Sequence, residues 1–413
     1  MRATLLKNID QLVNVREDDV LLRGNALAAL PIISKAWLLV EDGRIIDYGP
    51  MDAMSKTLPA GCDAIDLTGR LVLPAWCDSH THLVFAASRE EEFVDKIKGL
   101  SYAQIAAKGG GILNSAAKLK DASEDELFQA AWKRLEQISK MGTGAVEIKS
   151  GYGLSTQGEL KMLRVIKKLK EKSNVLVKAT FLGAHTYPLQ FKNDHQGYIR
   201  LIIDEMLPRI AEEKLADYVD VFCEEGFFSP IETVQICQAA KQYGLKPKLH
   251  ANQLHCSGGV QAGVAVNALS VDHLESLDDH AIQALSNATT IGTMLPNAAF
   301  FLRMQYPLAR KLIDTGAAVA LASDYNPGSS PSGNMNLVVA MGCIKMRMLP
   351  EEAINAATIN GAFAMELQNE VGSIRRGKRA NLIITAPVNS IAYLPYSFGE
   401  NWIDQVMLNG GFV

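Results

Sequence analysis

The sequence predicts an α/β chain: a (β/α)8 TIM-like barrel with a small β-sandwich domain built from both chain termini. Three observations lead there. Eight short apolar runs alternate with amphipathic helical patterns through the middle of the chain. Both ends read instead as β structure broken by turn residues. Polar residues able to do chemistry gather where the middle runs stop, which is where a barrel of this kind places its site. The division expected is a sandwich formed by 1–68 plus 369–413 and a barrel over 69–368.

In the first part, residues 36–41 and 44–48 flank Asp42-Gly43, a two-residue hairpin signal whose glycine accepts positive φ. The far end has the same texture in 372–374, 379–385 and 406–408. The barrel strands are expected at 71–76, 145–148, 177–182, 218–222, 246–250, 269–273, 290–294 and 318–323, with helices over 124–141 and 160–169 among the connections. A doubly wound open sheet is the alternative, since periodicity does not report closure. No Gly-x-Gly-x-x-Gly follows the first strand, which speaks against a dinucleotide site.

Composition narrows the function classes. With 413 residues, 48% hydrophobic and 21% charged, the chain is ordinary for a globular enzyme. A net charge of -4 supplies no basic field for nucleic acid or anionic lipid, so an anionic substrate needs a local arginine. The six cysteines are scattered without a Cys-x-x-Cys pair, as expected of free thiols in a reducing compartment. The start is too polar for a signal peptide and no apolar run reaches the ~18 residues of a membrane span. A cytoplasmic protein with a small-molecule substrate, and no nucleic-acid or membrane partner, is the expectation.

His80 and His82 sit two apart behind an apolar run, so on a strand both imidazoles face one side. Converging neutral imidazoles suit a divalent metal such as zinc or iron. His185 follows the third strand, His250 ends the fifth, His273 the sixth and Asp324 the eighth. Any one of them alone reads as a core or surface histidine, whereas five of eight histidines at strand exits make a set.

These motifs resemble the amidohydrolase superfamily. The likeness runs through Asp78-Ser79-His80-Thr81-His82-Leu83-Val84-Phe85, Lys149-Ser150-Gly151-Tyr152-Gly153-Leu154 and Gly183-Ala184-His185. It continues in His250-Ala251-Asn252-Gln253 and Ser323-Asp324-Tyr325-Asn326-Pro327-Gly328. Within the superfamily it is narrower still, to the members that open an imidazolone ring bearing a propionate tail. The resemblance implies one zinc or iron ion per subunit on His80, His82, His250 and Asp324, with Asp324 taking the proton of the attacking water. It places His273 beside the substrate carbonyl, to orient the water or stabilise the oxyanion.

Gln253 stands where nucleobase deaminases of the superfamily carry glutamate. A neutral amide cannot shuttle a proton but can hydrogen-bond both N–H and C=O of a lactam-like ring. Around the substrate the resemblance sets Arg89, Tyr102, Tyr152, His185, Asn326, Gly328 and Ser329, with the Arg89 guanidinium suited to the propionate. Lys149 and Lys178 read as ion-pair lysines, not as a carboxylated bridge between two metals. The run 108–112 lacks a P-loop ending and reads as a turn or lid near Tyr102. Asn381 replaces an aspartate common in the terminal sheet of the superfamily. A homodimer is implied. Other functions in view are another cyclic-amide hydrolase, an aromatic deaminase, and a barrel scaffold without chemistry, the last disfavoured by the complete ligand set.

Overall fold

The computed structural model describes residues 3–54, 59, 61–100, 104, 108 and 110–413. Tyr102 and Gly109 lie outside these residues. Eight parallel strands follow one another in the order of the chain: Trp76–Thr81, Thr143–Lys149, Leu176–Ala184, Tyr218–Cys223, Lys246–Ala251, Ser270–His273, Ile291–Met294 and Val319–Leu321. We refer to them as barrel strands one to eight. The chain just beyond strand eight returns to strand one and closes the ring. There the Asp324 N–H donates to the His80 carbonyl at 3.0 Å and the His82 N–H to the Tyr325 carbonyl at 2.9 Å. The Asp78 carboxylate accepts from the Ser323 N–H at 2.9 Å and the Ser323 hydroxyl at 2.5 Å.

The terminal sheet holds eight strands: Ala3–Val13, Ile32–Glu41, Arg44–Pro50, Asp63–Asp66, Leu71–Pro74, Leu382–Thr385, Ile403–Leu408 and Gly411–Phe412. Both chain ends contribute to it. Leu6, Leu38, Ile45, Leu382 and Met407, from five strands that span the sheet, share one buried cluster distinct from the barrel core. The sheet thus buries apolar surface against itself, as a stable layer requires. Its Asp42-Gly43 hairpin has φ of +48° and +79°, with Glu41 opposite Arg44, which matches a turn with both central residues at positive φ.

One strand assignment changes. The run 71–76 was expected as barrel strand one, but Leu71–Pro74 pairs with Ala3–Val13 and Leu382–Thr385 in the terminal sheet. Barrel strand one begins at Trp76. The crossing is made at Ala75, whose N–H donates to the Asn381 carbonyl, while the Trp76 N–H donates to the Gly142 carbonyl. Leu71, Leu73 and Trp76 are all fully buried, and a run buried throughout has no period to betray a change of sheet.

Asn381 fastens the two units together at the same place. Its amide N–H donates to the Gly144 carbonyl at 3.1 Å and its amide oxygen accepts from the Asn409 N–H at 2.7 Å. A carboxylate could make only the second of these bonds. The helix expected over 160–169 runs from Thr156 to Lys172 because the Ser155 hydroxyl caps it, accepting from the Gly158 N–H.

The short helix Ile359–Phe363 lies against barrel strand one, and a Cβ on Gly361 would meet the Cys77 carbonyl at 2.3 Å. Gly361→Ala is expected to destabilise the protein by about 1–3 kcal/mol, the cost of overpacking. A urea unfolding midpoint equal to that of the parent would show that the helix can back away freely.

Candidate active site

The barrel interior builds the site from below. Lys149, fully buried, reaches Glu147 at 2.6 Å, Asp220 at 2.7 Å and Asp272 at 3.4 Å. Lys248, also fully buried, pairs with the other oxygen of Glu147. The two aspartates then hold histidines. Asp220 accepts from the His250 backbone N–H and faces His250 Nδ1, both at 3.0 Å. Asp272 faces His80 Nδ1 at 2.7 Å while its other oxygen accepts from the Ser270 hydroxyl. In each case a carboxylate fixes Nδ1 as the protonated nitrogen and leaves Nε2 with a lone pair.

Burial alone would raise Asp220, but the neighbouring His250 and Lys149 hold it well below the ordinary carboxylate range. Burial is also the first cause that pushes His80 and His82 well below the usual imidazole value, reinforced by the histidines around them and by Lys149. Both are therefore neutral donors to a metal.

His80, His82 and His250 place ring nitrogens within 4.8 Å of one another, and His80, His273 and Asp324 form a second such group. His80 Nε2 is buried without a hydrogen-bond partner. It lies 3.5 Å from Asp324 Oδ1, and His82 Nε2 lies 3.6 Å from the same oxygen. An orphaned lone pair facing a buried carboxylate oxygen is costly. It fits a cation, and the donor set of imidazoles and carboxylate suits a transition metal.

This cluster forms the floor of a cavity of about 560 Å³. Arg89, Tyr152, His185, Gln253, His273, Asn326, Gly328 and Ser329 all line it, so the structure brings the described expected residues together. His185 stacks on His82, with ring centres 5.5 Å apart, and its Nδ1 faces the Gly151 carbonyl at 3.1 Å. Burial, then His250, brings His185 down to about 3, so it is neutral with Nε2 as an acceptor. Burial also lowers His273, but Glu275, 3.3 Å from its Nδ1, together with Asp324 and Asp272, raises it above the ordinary value.

Asn326 turns inward more than the resemblance implied. Its oxygen accepts from the Gly328 and Ser329 N–H groups, and its nitrogen donates to the Asp324 carbonyl and the Ser329 hydroxyl. The amide thus ties the loop that carries Gly328, and Ser329 in turn donates to Asp324 Oδ2 at 3.1 Å. Lys178 lies away from the cluster, 3.6 Å from Asp217.

Several positions went unread in the sequence. Asp272 directly precedes His273 and lies in register beside His250, which was an available signal, whereas Asp220 lies in register beside Lys248, with no histidine on its own strand. Glu159 accepts from the Gly151, Gly153 and Leu154 N–H groups and so fixes the turn presenting Tyr152. Glu224 accepts from the Leu254 and His255 N–H groups and fixes the turn presenting Gln253. His273, Asp324 and Asn252 have φ of +89°, +54° and +55°, a concentration of strained backbone typical of sites.

Comparison with known proteins agrees with this geometry. The Amidohydrolase family profile matches residues 71–413. The chain is 53% identical to an imidazolonepropionase of Christiangramia forsetii, with 99% of each chain covered. It is 54% identical to an imidazolonepropionase of Flavobacterium johnsoniae over 99% of this chain and all of the relative. A third, from Thermoanaerobacter pseudethanolicus, is 40% identical over 94% of this chain and 92% of its own. Among solved structures, the guanine deaminase of E. coli superposes with a TM-score of 0.74 at 14% identity, covering 100% of this chain and 98% of its own. An adenosine deaminase of Xanthomonas campestris with bound zinc gives 0.70 at 14%, covering 99% and 92%. At such identity these two speak for the fold alone.

Removing the lysine that organises the floor has a definite cost. Lys149→Met is expected to destabilise the fold by about 3–5 kcal/mol, because it strands buried carboxylates. It is also expected to weaken metal binding by roughly 10–100-fold, because it frees the aspartates that orient the ligands. Denaturation and metal titration check the two effects, and parent-like values of both would remove Lys149 from the site. Gly328→Ala should act differently. Its Cβ would lie 2.5 Å from Arg89 Nη1, the far end of a flexible side chain. The expected result is a displaced guanidinium and a raised KM for an anionic substrate, at a melting temperature close to the parent's.

Proposed function

Because the chain belongs to the amidohydrolase family and matches imidazolonepropionases along its whole length, we infer that it opens the ring of 4-imidazolone-5-propanoate by hydrolysis. The product is N-formimidoyl-L-glutamate, and the step belongs to histidine degradation. The observation that carries the reading is the pairing of a metal-competent histidine–aspartate floor with a wall bearing neutral Gln253 and cationic Arg89. A deaminase needs a titrating acid where Gln253 stands, and an amide does not titrate.

His80, His82, His250 and Asp324 would hold one ion, zinc or iron by the softness of the donors. When bound, such an ion supplies Lewis acidity and lowers the pKa of a coordinated water. The remaining work falls to the chain. Asp324 receives the proton of the attacking water and returns it to the ring nitrogen as the C–N bond breaks. Ser329, donating to Oδ2, keeps that carboxylate oriented. His273, held at Nδ1 by Glu275, faces the ring carbonyl oxygen and stabilises the charge that develops on it.

Gln253 pairs with the ring amide, and neutral His185 accepts from a ring N–H beside Tyr152. Arg89 is free to take the tail: it donates to the Ser115 hydroxyl and lies 5.8 Å from the Tyr152 ring centre. Six free cysteines support a reducing, cytoplasmic setting, and among the described residues no helix is long and apolar enough to cross a membrane. The homodimer implied by the resemblance is checked by light scattering.

The decisive experiment follows the loss of ring absorbance of fresh 4-imidazolone-5-propanoate with metal-loaded and metal-stripped protein. A metal-dependent rate above spontaneous decay is expected, and no such rate would overturn the assignment. In the same assay Arg89→Ala should raise KM by roughly 10–100-fold, the loss of a charge-assisted hydrogen bond, with a smaller change in kcat. An unchanged KM would hand the tail to another group.

A further inference from the structure

A second cation stands on the same wall of the cavity. Arg89 precedes the helix Glu90–Ile97, and Glu92 and Lys96 follow it at spacings of three and seven. Residues so spaced share one helix face, and all three line the cavity. Lys96 Nζ donates to the Gly328 carbonyl at 3.2 Å. A Cβ on the same glycine would touch Arg89 Nη1, so both cations converge on Gly328.

Among the described residues, neither Arg89 nor Lys96 makes an ion pair within 4.0 Å, and one oxygen of Glu92, the acid between them, accepts from the Gly111 N–H at 2.9 Å. Lys96 is half-buried, and burial pushes its ammonium down, with Arg89 adding to that push and Glu92 opposing it. A partly desolvated ammonium with one neutral carbonyl and the Phe301 ring, 5.8 Å away, as its partners still has donors to spare, and an arriving carboxylate completes it. The tail proposed above would bring one to this spot.

We propose that Lys96 is a specificity-determining residue that closes with Arg89 on the substrate's tail carboxylate, a two-cation clamp gathered at Gly328. The proposal rests on the substrate reading above. Arg89 supplies the planar fork and Lys96 a point charge along the cavity wall, so the pair selects a charged tail over a neutral isostere. The competing role for Lys96 is a tether that merely holds the Gly328 loop to the helix.

Two stable ligands separate these roles: imidazole-4-propanoate and its uncharged propanamide. Their affinities for metal-loaded parent, Lys96→Met and Lys96→Arg proteins are measured by calorimetry. The clamp requires that Lys96→Met weaken the propanoate by about tenfold, as loss of one charge-assisted bond does, and change the propanamide less than twofold. Lys96→Arg should recover most of the propanoate affinity. Equal weakening of both ligands, or none of either, overturns the clamp. A parent protein that binds the propanamide as well as the propanoate, or neither ligand, overturns the substrate reading as well.

Discussion

The site depends on one buried ammonium. Lys149 sits in the barrel interior between Glu147, Asp220 and Asp272, and two of those carboxylates orient the histidines above them. Buried charges are tolerable only when paired and hydrogen-bonded, so these residues fix one another. Lys248 balances Glu147 from the other side. With Asp324 included, four buried carboxylates face two ammonium groups, while Glu275 is matched by His273.

A second constraint is where the barrel closes. Strand eight is only three residues long, Val319–Leu321, and its end is pinned to strand one through Asp78 and Ser323. The backbone then carries Asp324 into the site at positive φ, with its N–H on the His80 carbonyl. Closure of the fold and the meeting of His80 with Asp324 are therefore one event. The Asn326 loop continues this logic, spending its whole amide on itself so that Ser329 meets Asp324 and Gly328 makes room for Arg89.

Much of the fold was legible in the chain. The middle alternation reported eight strands because each is an apolar run followed by an amphipathic helix, and the 42–43 turn was legible from its residue types. The boundary near residue 74 was not, because Leu71–Pro74 and Trp76–Thr81 are buried alike while belonging to different sheets. At the site, His80, His82, His250, His273 and Asp324 were readable from their places at strand ends. Asp220 was missed because it meets His250 only across 30 positions of chain, with no partner nearby in sequence to mark it; Asp272 directly precedes His273, but its own partner is His80, 192 positions away.

The sequence by itself determined the strand and helix periodicity, the histidines and aspartate at strand ends, and the neutral amide at Gln253, all properties of local spacing and side-chain chemistry. Only the tertiary structure decided which carboxylate holds which imidazole, that Asn326 is consumed within its own loop, and that Arg89 and Lys96 meet at Gly328. The physical reason is distance along the chain. Lys149 touches residues 71 and 123 positions away, and Asp78 grips Ser323 across 245. Such pairings are fixed by barrel closure, and no local pattern encodes them.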